Sequence, residues 1–541
     1  MKKYIMPVKW YVLGNMLFLS TSGVALAFLP IASMMLFDTL SGYANHSYTF
    51  IISLYIGCVV LDIASGYGSM RMTWGSAVGF EIALKQAFMR SVLLKPFSKF
   101  IKKDVGEHIS FIGNDIATLE MDYLPPLASM VTTLMSFTIY FFVIFILVDW
   151  RIAILLLMVS IISVMLTKLS TRALGDTRAN LLEAQGKYTE KVRDFLEGRR
   201  LVTLRTQEQI LTQHDKILRV TGDKRLIFGK RKTISLMLNG VFAYSINVVA
   251  FVYIAYLLFN GSISIGSGVA AIGYIEAFSQ PLQDIMYSFT ALRSVRETKK
   301  IFLEETAESH ESANEVILTF ENVLACDGLV IKRDDFIIKS FTYTFELGKK
   351  YALIGCNGSG KSTLLDAIAK FVEVHEGSIV IDGNNIANLE TSNIITYLSQ
   401  NEHVYRSSYI ENTTVFGSYN CDTIISEEFV SQNIKQSKNC ADLSGGERQI
   451  VSFIRAINTK NPILLLDEPF SAVDENTKKQ LIPMVKSLDK TILFVTHDLA
   501  ATSLAVFDEV LIMENGKLSI YGSYETIKDT EAFINILKAA R

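Results

Sequence analysis

The sequence predicts a multidomain membrane protein: an all-α domain of six membrane-spanning helices with long cytoplasmic helical extensions, followed by an α/β domain. Three observations lead there. Half of the 541 residues are hydrophobic and 20% are charged, with the charges bunched in some stretches and missing from others. That composition belongs to a membrane chain with water-exposed parts. The length exceeds what one compact core holds, so two or more units are expected. Past about residue 310 the long apolar stretches give way to short apolar runs alternating with helical ones, an α/β pattern.

The first charge-free stretch, Trp10 to Phe37, is at about 1.5 Å per residue longer than the roughly 30 Å hydrocarbon core of a bilayer. Others run from Thr39 to Val60, Tyr123 to Val148 and Ile152 to Thr167, the last extended through Lys168 by snorkelling. The stretch from Thr233 to Ile275 is too long for one crossing and turns back at the polar break Asn260-Gly261-Ser262. Its second crossing continues through Glu276 towards Tyr287. The expected spans are approximately 10–37, 46–68, 123–148, 150–169, 233–259 and 267–290, within a domain of residues 1–309. The lipid bilayer is therefore one partner of the chain.

Lysine and arginine fix the expected orientation, because basic loops near spans stay on the cytoplasmic side. The loops at 42–48, 149–151 and 260–266 hold one arginine and no lysine, whereas 1–9, 71–122 and 168–232 are strongly basic. Both termini are thus expected in the cytoplasm, with the protein multi-pass in the cytoplasmic membrane. Lys2 and Lys3 before an apolar run resemble a signal peptide, but the run is too long and lacks a small-residue cleavage site. The first span begins so near Met1 that no N-terminal peptidase domain is expected, and cargo would arrive already processed.

The loops at approximately 69–122 and 170–232 have few Gly or Pro and regular apolar spacing, so each is expected to form paired helical stalks. A helix of about 30 residues reaches about 45 Å. The five cysteines, Cys58, Cys326, Cys356, Cys421 and Cys440, include no C-x-x-C pair and are expected to be reduced, buried thiols. A net charge of -2 argues against a nucleic-acid partner. The acidic connector Glu304 to Glu315 lacks apolar periodicity and places the domain boundary near residue 310, with 310–541 as the second domain.

In that domain the apolar run Tyr351 to Ile354 is followed by Gly355-Cys356-Asn357-Gly358-Ser359-Gly360-Lys361-Ser362, which satisfies G-x-x-x-x-G-K-[ST] in the order strand, loop, helix, with Thr363 next. Glycines let backbone N–H groups turn inward around phosphate oxygens at a helix N-terminus. Lys361 is expected on the β- and γ-phosphates of ATP and the Ser362 hydroxyl on Mg²⁺. A second apolar strand, Ile463 to Leu466, ends in Asp467-Glu468.

Between these two segments stands Leu443-Ser444-Gly445-Gly446-Glu447, which resembles the signature of ATP-binding cassette (ABC) proteins. Gln400 resembles that family's Q-loop, Ser471-Ala472-Val473-Asp474 its D-loop, and His497 its switch histidine, all in the family's order. The resemblance implies an ABC-type P-loop ATPase domain in which Asp467 supports magnesium, Glu468 activates the attacking water, and His497 reaches the γ-phosphate. Gln400 would bind Mg²⁺ or water and sense the membrane helices. Ser444, Gly445 and Gly446, ahead of Glu447, would bind the γ-phosphate of ATP held by an opposing cassette. One cassette per chain then implies a dimer, with a homodimer favoured.

The membrane half carries the same resemblance. Lys95-Pro96-Phe97 through Gly106 to Ile112-Gly113-Asn114-Asp115 is similar to the first intracellular loop of ABC exporters, and Glu197 to Val202 to the second. Two features depart from the pattern. No aromatic residue follows Phe320 to Val323 at the place where exporters stack on adenine, and Ser437 to Asp442 replaces their acidic, Gly-containing segment before the signature.

The implied function is ATP-driven transport, as export of a peptide or of an amphipathic or cationic small molecule. Asp62, Glu276 and Asp284 fall in or near spans, where ionisable groups face a cavity or a partner. They either line an acidic substrate cavity or, for Asp62 and Asp284, snorkel or pair with Arg71 or Arg293. An importer of a metal-chelating compound, one half of a heterodimer and a membrane-tethered ATPase sensor are the competing readings.

Overall fold

The computed structural model describes residues 1–101, 103–307, 320–333, 336–419 and 430–540. The expected boundary near residue 310, most of the acidic connector and Cys421 lie outside the described residues. The chain divides into two compact units, and the division is not a single cut. Met1–Leu93 groups with Val105–Ala307, while the short segment Leu94–Asp104 groups with Glu308–Arg541.

Among its described residues the first unit has six long helices: α1 Lys9–Leu40, α2 Tyr48–Leu94, α3 Leu124–Leu147, α4 Trp150–Glu197, α5 Gln207–Phe259 and α6 Ile265–Ser294. The stretches Lys2–Leu40, Tyr48–Leu94 and Val105–Leu147 are each long and apolar enough to cross a membrane, and Trp150–Ile162, Asn247–Phe259 and Ile265–Ile275 are shorter apolar stretches. Local chemistry sets the ends. Asp149 caps α4 by accepting from the Arg151 N–H, and Ser264 caps α6 by accepting from the Ser267 N–H. The chain turns between α5 and α6 at Asn260-Gly261, where Gly261 has φ +65°.

Small residues let α1 and α2 approach closely. A methyl group at Gly68, Gly75 or Gly79 would sit within 2.5–2.6 Å of Phe18, Tyr11 or Val8 respectively. Ala27 and Ile31 of α1, Tyr140 and Ile144 of α3, Ile152 of α4, Ile254 of α5 and Tyr274 of α6 form one buried cluster. Within it the Tyr274 hydroxyl donates to the Ala27 carbonyl.

Asp38, at the end of α1, is 7% exposed and is satisfied entirely by the start of α6. Its Oδ1 accepts from the Gly266 N–H at 2.9 Å and its Oδ2 from the Ser264 hydroxyl at 3.0 Å. A carboxylate at a helix N-terminus meets the positive end of the dipole and unpaired N–H groups. Asp38→Ala is expected to destabilise the first unit by about 2 kcal/mol, read as a lower melting temperature of the purified protein with Asp38→Asn falling in between.

The second unit has a four-stranded sheet ordered β2-β1-β4-β5 and a six-stranded sheet ordered β10-β9-β3-β8-β7-β6. The first contains β1 Val323–Arg333, β2 Phe336–Glu346, β4 Glu376–Ile381 and β5 Asn384–Asn385. The second contains β3 Lys350–Ile354, β6 Ile395–Leu398, β7 Ile463–Asp467, β8 Thr491–Val495, β9 Glu509–Glu514 and β10 Lys517–Gly522. Strands β6, β7, β8, β3 and β9 run parallel. Every residue of β3, β7 and β8 is buried, as apolar strands of a sheet covered on both faces should be.

Three helices bear on the site: α7 Lys361–Ile368, α8 Gly445–Asn458 and α9 Glu475–Ser487. Helix α8 buries Ile450, Phe453, Ile454 and Ile457, an i, i+3, i+4, i+7 stripe, in the core that includes Leu464, Leu466, Phe470 and Phe494. This packing anchors its N-terminal residues beside the carboxyl end of β7.

Candidate functional site

The site forms where β3, β7 and β8 deliver their carboxyl ends, the usual place for a ligand in an open parallel sheet. The loop after β3 needs its glycines. Gly355 has φ +155°, and a methyl group there would lie 2.4 Å from the Met513 carbonyl oxygen; Gly358 and Gly360 have φ +76° and +103°. Cys356 and Asn357 occupy the exposed outer side of the loop, and α7 opens with Lys361, Ser362 and Thr363.

Lys361 is buried, and its Nζ donates to the carbonyls of Gly355 and Cys356 at 2.9 and 3.0 Å. Burial lowers its pKa from the ordinary lysine value, an effect opposed by the nearby Glu468 and Asp467 carboxylates. The Ser359 hydroxyl is buried in the same loop with no hydrogen-bond partner. A cation and an unsatisfied hydroxyl at the start of a helix are suited to a phosphate.

Asp467 closes β7 and is 6% exposed. Burial raises its pKa, while hydrogen bonding from Ser362 acts the other way. Its Oδ2 accepts from the Tyr397 hydroxyl at 3.4 Å, and its Oδ1 is buried without a hydrogen-bond partner. A carboxylate oxygen left open beside a serine hydroxyl suits a hard divalent cation.

Glu468 takes a left-handed backbone, φ +48°, rare for a side chain of its size. Its carboxylate lies between two expected site residues, accepting from Gln400 Nε2 at 2.9 Å and standing 2.8 Å from His497 Nε2. The Q-loop glutamine, the glutamate after β7 and the histidine after β8 thus meet at one carboxylate, drawn from 98 residues of chain (400 to 497).

The signature opens α8 as a capping box. Ser444 Oγ donates to Glu447 Oε2 at 2.8 Å, and the Glu447 N–H bonds back to Ser444 Oγ at 3.4 Å. Gly445 and Gly446 form the first turn, Gly446 so close to the D-loop that a methyl group would lie 2.6 Å from the Ala472 carbonyl. Asp474 caps α9, its Oδ1 accepting from the N–H groups of Asn476 and Thr477.

Two residues that sequence reasoning passed over belong to this constellation. Gln449, one turn into α8, donates to the Gln400 carbonyl at 3.3 Å and to the Ser471 hydroxyl at 2.9 Å, and accepts from the Ala472 N–H at 2.8 Å. It ties Q-loop, signature helix and D-loop together. Tyr397 is the other, through its bond to Asp467. Its place as the last residue but one of a largely apolar strand was the available signal.

The expected cavity residues separate. Asp284 lines a cavity of about 670 Å³ in the first unit, whose wall includes Ser22, Ser76, Thr132, Thr133, Ser136 and Tyr140. Asp62 is not on that wall but accepts from Ser22, which is, at 2.6 Å. Glu276 lies in α6 among residues whose side chains are not described.

A helical membrane unit fused to an α/β unit with this phosphate-loop site defines an ATPase coupled to movement across a membrane. Residues 12–282, half of the chain, match the family described as ABC transporter transmembrane region, and residues 338–471 match that described as ABC transporter. The chain belongs to the ABC transporters, with membrane and ATP-binding regions in one polypeptide.

It is 24% identical over 555 residues to the ATP-dependent lipid A-core flippase of Haemophilus influenzae, covering 94% of this chain and 92% of that one. It is 27% identical over 336 residues to the mesentericin-Y105 transport/processing ATP-binding protein of Leuconostoc mesenteroides, covering 58% and 46%. The solved structure of a bacterial Atm1-family ABC exporter with ATP bound has a TM-score of 0.82 and 16% identity, covering 98% of both chains, a likeness of fold.

Proposed function

We propose that the chain is one half of a homodimeric exporter that uses ATP and Mg²⁺ to move a cationic amphipathic molecule, such as a peptide, out of the cytoplasm. The cavity of the first unit carries this reading. Its wall combines apolar side chains with hydroxyls and the Asp284 carboxylate, and among the described residues no lysine or arginine lines it. Such a wall offers hydrogen-bond acceptors and negative charge inside a low-dielectric surround, which favours a cation carrying an apolar body. The peptide-transport and flippase relatives support an amphipathic cargo.

At the nucleotide site, Lys361 and the loop amides would hold the phosphates, and Ser362, Asp467 and Gln400 would hold magnesium, which would supply charge neutralisation at the phosphates. Glu468 takes the proton of the attacking water, with His497 and Gln400 fixing its carboxylate. Ser444, Gly445 and Gly446 serve ATP on a second copy of the chain, and both termini face the cytoplasm with the cassette.

Ethidium uptake into inverted membrane vesicles tests the cargo and its direction. ATP-dependent accumulation is expected, and Asp284→Asn with Asp62→Asn should reduce it about tenfold while basal ATPase persists. Unchanged uptake by the double variant would remove the case for a cationic cargo. ATP-driven loss of preloaded dye from the vesicles would reverse the direction.

A further inference from the structure

Helix α1 lends one face to the wall of the first unit's cavity, and that face changes character along its length: Asn15 near the start, Ser22 in the middle, Leu26, Leu29 and Pro30 beyond. At about 1.5 Å per residue its polar start and apolar end are about 20 Å apart. Helix α6 runs the other way beside it, since Gly266 lies against Asp38 and Gly273 against Pro30. Eleven residues on from Gly273, Asp284 therefore comes back to about the level of Leu19, one turn from Asn15. The carboxylate and the amide share one end of the cavity.

Asn15 is a buried amide, 7% exposed, in an apolar helix. Its Oδ1 accepts from the Ser69 hydroxyl of α2 at 2.7 Å. That bond occupies the carbonyl end of the amide and leaves Nδ2, which has no hydrogen-bond partner among the described residues, for the cavity that Asn15 lines. Thr133 of α3 is a second such group. It too is 7% exposed and lines the cavity, and its hydroxyl makes no hydrogen bond among the described residues. Its neighbour Thr132 instead bonds back to the Ala128 and Ser129 carbonyls, as threonine in a helix usually does. An unmet buried donor is costly, so two in one wall point to a ligand that meets them.

We infer that this end of the cavity is a subsite for a hydrogen-bond acceptor: Asn15 Nδ2, with the Thr133 hydroxyl, takes an uncharged carbonyl oxygen of the cargo, while Asp284 takes a cationic group a few bonds from it. A carboxylate at the same level disfavours an anionic phosphate or carboxylate oxygen there. An ester or amide carbonyl beside a cation, followed by an apolar body lying along Leu26 and Leu29, is the chemical class that fits. Asn15 is thus a specificity-determining residue, and Ser69 positions it. The inference deepens the proposed function and rests on its reading of this cavity as the cargo site.

The full-length protein in lipid nanodiscs is titrated with tritiated lauroylcholine and with a tritiated alkyltrimethylammonium of the same chain length, read by scintillation proximity with empty nanodiscs subtracted. Wild type should bind lauroylcholine about tenfold more tightly, the worth of one hydrogen bond made away from water. Asn15→Leu should cut lauroylcholine affinity about tenfold and leave the alkyl ligand within about twofold. Asn15→Asp keeps the acceptor for Ser69 and removes the donor, so it should lose the preference while binding the alkyl cation at least as well; it serves if the leucine variant fails to fold. Thr133→Val and Ser69→Ala should each reduce the preference about threefold.

Equal affinity for the two ligands in wild type, or a preference that survives both Asn15 variants, would overturn the acceptor subsite. Asp284→Asn separates the two levels, and should weaken both ligands by the same factor. If it weakens neither while the Asn15 variants abolish the preference, the cationic reading fails and the subsite stands; if it weakens both and the preference is absent, only the subsite fails. No saturable binding of either ligand to wild type would overturn both.

Discussion

Glu468→Gln is expected to lower ATP turnover by about a thousandfold while leaving ATP affinity within a factor of about two. The substitution keeps the size of the side chain and its place between Gln400 and His497, but removes the acceptor for the water's proton. The left-handed backbone of Glu468 holds the group at one position, and φ +48° is maintained by a bond from its N–H to the Val495 carbonyl at 3.2 Å. Steady-state ATPase alongside binding of a fluorescent ATP analogue reads both quantities. Turnover within tenfold of wild type would move the proton-accepting role elsewhere.

Gly446→Ala is the second large effect. A methyl group there would lie 2.6 Å from the Ala472 carbonyl, a backbone atom that cannot rotate away. Helix α8 must then retreat from the D-loop, and Gln449 loses its grip on Ala472 and Ser471. Misplacement on the scale of 1 Å costs about a hundredfold in rate, so ATPase should fall by about that factor with nucleotide binding to Lys361's loop intact. Gly445 provides the control, since a methyl group there meets only the Ala472 side chain at 3.8 Å. Gly445→Ala should lose much less activity, and equal losses in the two variants would show that the close approach is not what matters.

The division into a helical membrane part and an α/β part was legible because each rests on a local property, the length of apolar runs and their periodicity. The phosphate loop and the strand ending in Asp467-Glu468 were legible for the same reason. What the sequence could not carry were side-chain partnerships across the fold. Gln449 reads as one more polar residue in an amphipathic helix until α8 is laid against the Q-loop and D-loop. Asp38 reads only as the residue that ends an apolar stretch, yet it caps α6 more than 220 residues away. The grouping of 94–104 with the second unit likewise depends on contacts distant in sequence.

Asp474 shows the converse. Its motif suggests a nucleotide-side role, whereas its carboxylate here holds the first turn of α9, with its pKa lowered by the hydrogen bonds of that cap. A residue type favoured at helix starts serves local architecture whatever else the motif does.

The capping box at Ser444 has a consequence for reversibility. In a pair of cassettes of the proposed kind, the Ser444 hydroxyl would leave one anionic acceptor, its own Glu447, for another, the phosphate on the opposite chain. The exchange trades like for like, so neither the joined nor the separated state is favoured by that hydroxyl alone. A machine of the proposed kind, whose cassettes would part after each turnover, is served by a contact with nearly equal alternatives on both sides of its cycle, and in the lone cassette the exposed Ser444 hydroxyl has Glu447 as its partner.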